Sequence, residues 1–136
     1  TIIIGTSTTL RALISKHNLL GRESFPVVGV FDTNRVNVGE NLDGYIIKDL
    51  KDLKDLLKET TVDIAIVELF KNEVKSVVNE LIDNGIKEIL NISDTDLRYA
   101  SDVHIENINI SDALLRLSFH ASERKREEAG DLSEDM

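Results

Sequence analysis

The sequence predicts an α/β domain: a doubly wound, Rossmann-like parallel sheet with helices packed on its faces. Three observations carry this reading. Apolar, β-branched runs alternate along the chain with segments of helical periodicity. The runs are continuous and not interleaved with polar residues, as in parallel strands buried on both faces. The stretch from Thr1 to Asp32 reads as strand, glycine turn, helix, strand and terminal acid, the order of a dinucleotide-binding βαβ unit.

Within that unit Ile2-Ile3-Ile4 is the first strand and Gly5 the tight turn. Thr6-Ser7-Thr8-Thr9-Leu10 leads into a helix over Arg11 to Leu19, and Val27-Val28-Gly29-Val30-Phe31 is the second strand, closing on Asp32. Phosphates sit at the helix N-terminus of such a unit, where free N–H groups and the helix dipole favour anions. The terminal acid takes a ribose hydroxyl pair, and its charge disfavours a 2′-phosphate, pointing to NAD and not NADP. A full G-x-G-x-x-G fingerprint needs glycine at positions 5, 7 and 10, whereas this chain has Gly5, Ser7 and Leu10. Ser7 adds a Cβ where the backbone should approach a pyrophosphate, and Leu10 is bulky where the helix should press on the strand.

The remaining elements follow in order. Thr33 to Gly39 is a polar loop or short helix, Asp43-Gly44 a turn, and Tyr45-Ile46-Ile47 the third strand. Asp49 opens a helix with Leu50, Leu53, Leu56 and Leu57 on one face. Ile64 to Val67 is the fourth strand, followed by a helix from Asn72 to Asn84 with Val74, Val77, Val78, Leu81 and Ile82 inward. Gly85 ends that helix by accepting the left-handed conformation. Ile86 to Leu90 is the fifth strand, Asn91 to Ala100 a polar loop, Val103 to Ile105 the sixth strand, and Ser111 to Ser122 the last helix. Ligands of such sheets bind beyond the carboxyl ends of the strands, at the switch point. That edge is built here by Gly5 to Thr9, Asp32 to Asn34, Glu68 to Lys71 and Asn91 to Asp94.

The last helix is apolar on more than one side. Leu114, Leu115, Leu117 and Phe119 lie at about 0°, 100°, 300° and 140° around an axis turning about 100° per residue. A single sheet face needs only one stripe, so the helix is either deep in its own domain or part of a subunit interface. Glu123 to Met136 is charged, and a solvated helix end followed by a disordered tail is expected there.

Length and composition bound the function. The 136 residues fit one domain, with 41% apolar and 30% charged residues. No window approaches the roughly 18 apolar residues of a membrane span, and no secretory leader is visible. The absence of cysteine excludes disulfides and thiolate metal sites, and a cytoplasmic location is expected. A net charge of −9 makes this chain by itself a poor binder of nucleic acid. His17, His104 and His120 lie far apart with no neighbouring ligands, so no metal site is expected. Ser7, Ser15 and Ser93 lack the glycine-flanked elbow of a hydrolase, and no Gly-Lys-Ser/Thr phosphate loop exists. With no nucleophile–base pair to support, the chain reads as a binding domain and not an enzyme. The hydroxyls of Thr6, Ser7, Thr8 and Thr9 have two readings: helix caps, with Ser7 or Thr8 as N-cap, or phosphate donors. Asp32 is likewise either an exposed strand-end acid or the ribose acceptor.

A wider pattern joins these parts. It consists of Ile3-Ile4-Gly5, Phe31-Asp32 with Gly39 seven residues on, Asp43-Gly44 and Asn84-Gly85-Ile86-Lys87. It continues through Ile89-Leu90-Asn91 and Glu106-Asn107-Ile108, leading into Leu115-Arg116-Leu117-Ser118-Phe119. In order and spacing this resembles the C-terminal domain of the redox-sensing transcriptional repressor family Rex, over nearly all of residues 1–122. The resemblance implies an NAD(H)-binding Rossmann domain that senses the NADH/NAD ratio. It also implies a homodimer in which the C-terminal helix, through Leu114, Leu115, Leu117 and Phe119, swaps onto the partner. DNA would be bound only through a winged-helix domain expected upstream of Thr1. By position it places the phosphates on Gly5, Thr6, Ser7, Thr8 and Thr9 and the adenosine ribose on Asp32. Thr33 and Val38 would flank the adenine, and Glu68, Leu69, Phe70, Asn91 and Ile92 would lie near the nicotinamide. The chain departs from the family pattern at Ser7 and Leu10, at Glu68-Leu69-Phe70 in place of a Thr-Val-Pro-like segment, at Ile92 for Phe, and at Asn109 for an acid. Two further readings stand beside this one. One is a Rex-like regulator that has lost NAD(H) and keeps the fold for dimerisation or another ligand; the other is a CoA- or nucleotide-binding domain of an enzyme.

Overall fold

The computed structural model describes residues 1–14, 25–99 and 102–134. Six parallel strands form the sheet: β1 (Ile2–Ile4), β2 (Gly29–Asp32), β5 (Lys48–Asp49), β6 (Ile64–Val67), β7 (Glu88–Asn91) and β8 (His104–Asn107). They lie in the order β5-β2-β1-β6-β7-β8, so the chain runs outward from β1 in one direction, returns, and runs outward in the other. This is the doubly wound arrangement read from the sequence. The helices are α1 (Thr8–Ile14), α2 (Leu53–Glu59), α3 (Lys71–Asp83) and α4 (Ile110–Glu134).

The continuous apolar runs are explained by burial on both faces. Ile2, Ile3 and Ile4 are all fully buried, but they serve two cores. Ile2 and Ile4 point with Phe31, Ala65 and Val67 toward Leu53 of α2 and Val74, Val78 and Leu81 of α3. Ile3 points the other way with Val30 and Ile66, toward Leu10 and Ile14 of α1. The period of two along a strand distributes one apolar run between two layers. Leu10, bulky at the position of the third fingerprint glycine, is fully buried in this second core.

Several expectations need correction. Tyr45-Ile46-Ile47 is not the third strand of the sheet. Tyr45–Ile46 (β4) pairs antiparallel with Asn41–Leu42 (β3) as a separate hairpin, and the third parallel strand is Lys48–Asp49. The reason lies in the turn: Asp43 and Gly44 both take positive φ (49° and 93°), the two-residue turn whose twist suits a hairpin. Ile47 is 1% exposed and links the hairpin to the body, its N–H donating to the Glu40 carbonyl at 2.9 Å. Asp49 opens the next helix as expected, its side chain accepting from Lys51 N–H at 3.0 Å, but the first turn is 3₁₀. The fifth and sixth strands begin later than expected, at Glu88 and His104.

At the C-terminus the helix does not stop at Ser122 before a disordered tail; it continues to Glu134. Nothing in Glu123 to Glu134 breaks it, since there is no proline and a lone Gly130 costs only about 1 kcal/mol against alanine. Neither is α4 deep in its own domain: Leu114, Leu115, Leu117 and Phe119 are 61%, 68%, 66% and 60% exposed. The expected continuation of the first helix to Leu19, together with Ser15, His17 and Ala100, lies outside the described residues.

Among the described glycines the closest packed is Gly5, just after β1 with φ +114°. A Cβ there would sit 2.3 Å from the Glu68 carbonyl oxygen and 3.2 Å from Leu10 Cδ1. Gly44 also has positive φ, but a Cβ would meet nothing within 4 Å. Gly5→Ala is therefore expected to lower the unfolding free energy by about 3 kcal/mol, and Gly44→Ala by about 1 kcal/mol. Urea unfolding of the two variants checks this; equal losses would refute the steric argument.

Candidate functional site

The chain reverses direction between β1 and β6, and beyond the carboxyl ends of these strands lies an open cleft of about 720 Å³. Of the residues expected at the site, Gly5, Thr6, Ser7, Asp32, Thr33, Glu68, Leu69, Phe70 and Ile92 line it together. Thr8, Thr9, Val38 and Asn91 do not. Thr8 and Thr9 are exposed on α1, and Val38 is half-buried in the loop after β2. Asn34, Lys71, Ser93 and Asp94 also line it, all within the strand-end edge expected from the sequence, whereas Asn37 and Glu73 line it from outside that edge.

Each wall of the cleft is held by its own hydrogen bonds. On the β1 side, Ser7 is the N-cap of α1: its Oγ accepts from Leu10 N–H at 3.2 Å. The Ser7 hydroxyl also donates to the Glu68 carboxylate across the cleft. The capping reading of this serine therefore holds, and Thr8 is not the cap. Arg11 donates through Nε to the Thr6 carbonyl at 2.8 Å, while its guanidinium pairs with Glu40 at 2.9 Å. The hydrogen bond to Glu40 raises the Arg11 pKa further, and the same contact lowers that of Glu40.

Asp32 is not an exposed strand-end acid. It is 5% exposed, with Thr6 Oγ1 donating to its Oδ2 at 2.5 Å and Asn37 Nδ2 to the same oxygen at 2.9 Å. The Asn34 N–H donates to Oδ1 at 3.1 Å. Burial pushes the Asp32 pKa up, but the donors Thr6, Asn34, Asn37 and Thr33 together outweigh it, and the net shift is downward. A buried carboxylate kept ionised at a strand end is an acceptor ready for hydroxyl donors. Asn37 also donates to Thr6 Oγ1 at 3.0 Å, closing a triangle of side chains. Its role is not legible locally, because the loop that returns it to Asp32 carries no periodic pattern.

On the β6 side, Glu68, Leu69 and Phe70 connect β6 to α3. The Glu68 N–H donates to the Ile4 carbonyl at 3.0 Å and the Leu69 N–H to Ser93 Oγ at 2.9 Å. Ser93 N–H in turn donates to Asn91 Oδ1 at 3.0 Å. Asn91 is fully buried, and its Nδ2 donates to the Thr95 carbonyl at 2.7 Å and to Asn107 Oδ1 at 2.9 Å. It braces the loops beneath the cleft and does not face it. Thr33 Oγ1 donates to Glu73 Oε2 at 3.1 Å, a second hydroxyl–carboxylate bond linking two elements of the cleft. Phe70 stands 79% exposed at the mouth. Asn109 caps α4, accepting from Asp112 N–H at 3.0 Å.

A doubly wound sheet with an open cleft at its switch point and a buried carboxylate at the end of the second strand defines a nucleotide-binding type of domain. The chain belongs to the CoA binding domain family, which matches residues 1–95. Within that setting the resemblance to Rex is supported by sequence and by fold. The redox-sensing transcriptional repressor Rex of Clostridium perfringens is 33% identical over 119 residues, covering 88% of this chain and 56% of that protein. Rex of Clostridium kluyveri is 36% identical over 120 residues, covering 87% and 56%. The chain thus spans little more than half the length of these curated relatives. The Rex-family repressor RSP in complex with β-NAD⁺ and operator DNA superposes with a TM-score of 0.80 at 26% identity, over 94% of this chain and 58% of that one. RSP in complex with β-NADH gives 0.77 at 27%, over 94% and 61%.

The downward shift of Asp32 has a measurable consequence. Its folded pKa lies below the reference value of 3.8, so the ionised form stabilises the fold. That contribution is present above pH 3.8 and is lost as pH falls through the folded pKa. Between pH 7 and acid pH below that value, the wild-type chain is expected to lose more urea-unfolding free energy than Asp32→Asn. An equal loss in both would refute it.

Proposed function

We propose that the chain is the cofactor-sensing and dimerisation domain of a Rex-like transcriptional repressor, with NAD(H) as the ligand of the cleft. The observation that carries this reading is Asp32, a buried, ionised acceptor at the end of β2, beside the Gly5 turn and facing a cleft whose opposite wall begins at Glu68. The residues present fit a dinucleotide: a carboxylate for the ribose diol, hydroxyls of Thr6 and Ser7 beside the glycine turn, and an exposed aromatic at the far side. Asp32, assisted by Asn37, would hold the adenosine ribose, and Thr33 would flank the adenine. Gly5 to Ser7 would face the phosphates, and the segment Glu68 to Phe70 with Ile92 the nicotinamide end, the Glu68 side chain reaching back from that segment to Ser7. Bound NAD(H) supplies a ring whose charge changes with its redox state; the chain's part is to bind and orient it, and no chemical step is required. The relatives named as repressors and the RSP complexes with NAD⁺, NADH and operator DNA support the same reading. DNA would be reached through a domain outside this chain, since a −9 charge suits no phosphate backbone. A second reading, that CoA or another nucleotide occupies the cleft, is favoured by the family description. Calorimetric titration with NADH, NAD⁺ and CoA separates them. NADH is expected to bind and Asp32→Ala to weaken it about tenfold or more, in keeping with loss of a charged hydrogen-bond acceptor. Binding of CoA alone would transfer the site to the second reading.

The same proposal makes the protein a homodimer through α4. Ile110, Leu114 and Leu117 lie on one side of this helix, Leu115 and Phe119 on the other, and all are at least 60% exposed. Two apolar stripes projecting from the body call for two surfaces to bury them, which a swapped helix between protomers provides. No described helix is long and apolar enough to cross a membrane. Replacing Leu117 with Asp is expected to give a monomer in sedimentation or sizing measurements. An unchanged dimer would refute the assignment, and so would a wild-type chain that is itself monomeric.

A further inference from the structure

We propose that Glu68 acts as a built-in anion in the cleft, competing with the phosphates of the ligand and so setting the threshold concentration at which the ligand binds. The proposal rests on the dinucleotide reading above and concerns what this chain has added to it.

Three observations carry it. The first is the bond itself. The Ser7 hydroxyl donates to the Glu68 carboxylate, joining residues 61 apart in sequence across the switch point of the sheet. The turn that would face a pyrophosphate is therefore already engaged with a carboxylate of its own chain.

The second is that the backbone of Glu68 has no room to withdraw. Its N–H is held by the Ile4 carbonyl at 3.0 Å, and the next N–H by Ser93 Oγ at 2.9 Å. Its carbonyl lies so close to Gly5 that a Cβ there would come within 2.3 Å. A ligand phosphate arriving at Ser7 thus meets a carboxylate that can yield only by rotating its side chain.

The third is the charge balance. Among the described residues, the charged ones lining the cleft are Asp32, Glu68, Glu73 and Asp94 against Lys71. Arg11, the nearest cation on α1, is bonded to Glu40 and to the Thr6 carbonyl. Asp32 is shielded by donors that include Thr6, Asn34 and Asn37, and Glu73 accepts from Thr33. Glu68 is the acid that sits on the glycine turn. Like charges in a partly enclosed site repel strongly, whereas a hydroxyl or an aromatic ring meets no such penalty. Once Glu68 rotates away, the Ser7 hydroxyl is released to donate to a phosphate oxygen. Glu68 thus weakens binding in the ground state and hands over its own donor when the ligand is abundant enough to displace it.

Glu68→Gln keeps the shape and an acceptor for Ser7 while removing the charge; Glu68→Asp keeps the charge. Titrated with NADH, Glu68→Gln is expected to bind about tenfold more tightly than the wild-type chain, and Glu68→Asp to stay within about threefold of it. Equal or weaker binding by Glu68→Gln, or an equal gain in both variants, overturns the proposal while leaving the dinucleotide reading in place. Binding by Glu68→Gln but not by the wild-type chain at millimolar NADH supports the competition and overturns NADH sensing by the natural sequence. No binding by any of the three overturns both.

Discussion

The backbones of Gly5 and Glu68 approach so closely that no side chain fits between them, and the geometry of the cleft depends on that approach. The two residues immediately follow β1 and β6, adjacent parallel strands whose following segments leave the sheet in opposite senses. Because Gly5 occupies so little space, Leu10 can come in from one side and the Glu68 carbonyl from the other. The same contact fixes where Ser7 and the Glu68 side chain meet. A conformational requirement at one residue thereby becomes an electrostatic property of the site.

Around this contact the cleft is a set of hydroxyl–carboxylate bonds: Thr6 with Asp32, Ser7 with Glu68, and Thr33 with Glu73. In each, a neutral hydroxyl donor answers an acid; for Asp32 these donors outweigh the cost of burial and hold its pKa down. An amide network anchored on buried Asn91, with Asn107 and the loop at 93–97, holds the floor beneath them. Such a site is pre-organised for polar ligands: the acceptors are fixed in place before a ligand arrives, so little ordering remains to be done on binding. It is also acidic, with Asp32, Glu68, Glu73 and Asp94 set against Lys71 among the described lining residues.

The fold and the site are linked through the C-terminal half as well. Asn109 caps α4 and also donates to the Asp94 carbonyl at 3.3 Å, so the start of the exposed helix is tied to a residue of the cleft wall. The helix then runs clear of the body with its apolar side chains in solvent. The wall of the cleft and an exposed apolar helix are thus joined by a direct hydrogen bond.

What the sequence determined by itself is what repeats locally. Continuous apolar runs, helical stripes and glycine punctuation were enough for the doubly wound sheet, its cleft edge, and most residues that face it, because burial periodicity is written in nearest neighbours. The Asp43-Gly44 turn was legible, but not that it would pull Tyr45 and Ile46 out of the sheet; strand pairing depends on partners distant in sequence. Asn91 sat at the right strand end for a ligand contact, and only the fold showed its amide turned inward to brace loops. Asp32 was recognisable by position, whereas its burial and its lowered pKa come from Thr6 and Asn37, brought to it by loop closure. Glu68 was visible as an acid near the site, but its bond to Ser7 joins two segments that only the parallel pairing of β1 with β6 places side by side. Local pattern decides which elements form; tertiary contact decides which polar groups meet, because hydrogen bonds and charges act over a few ångströms whatever the distance along the chain.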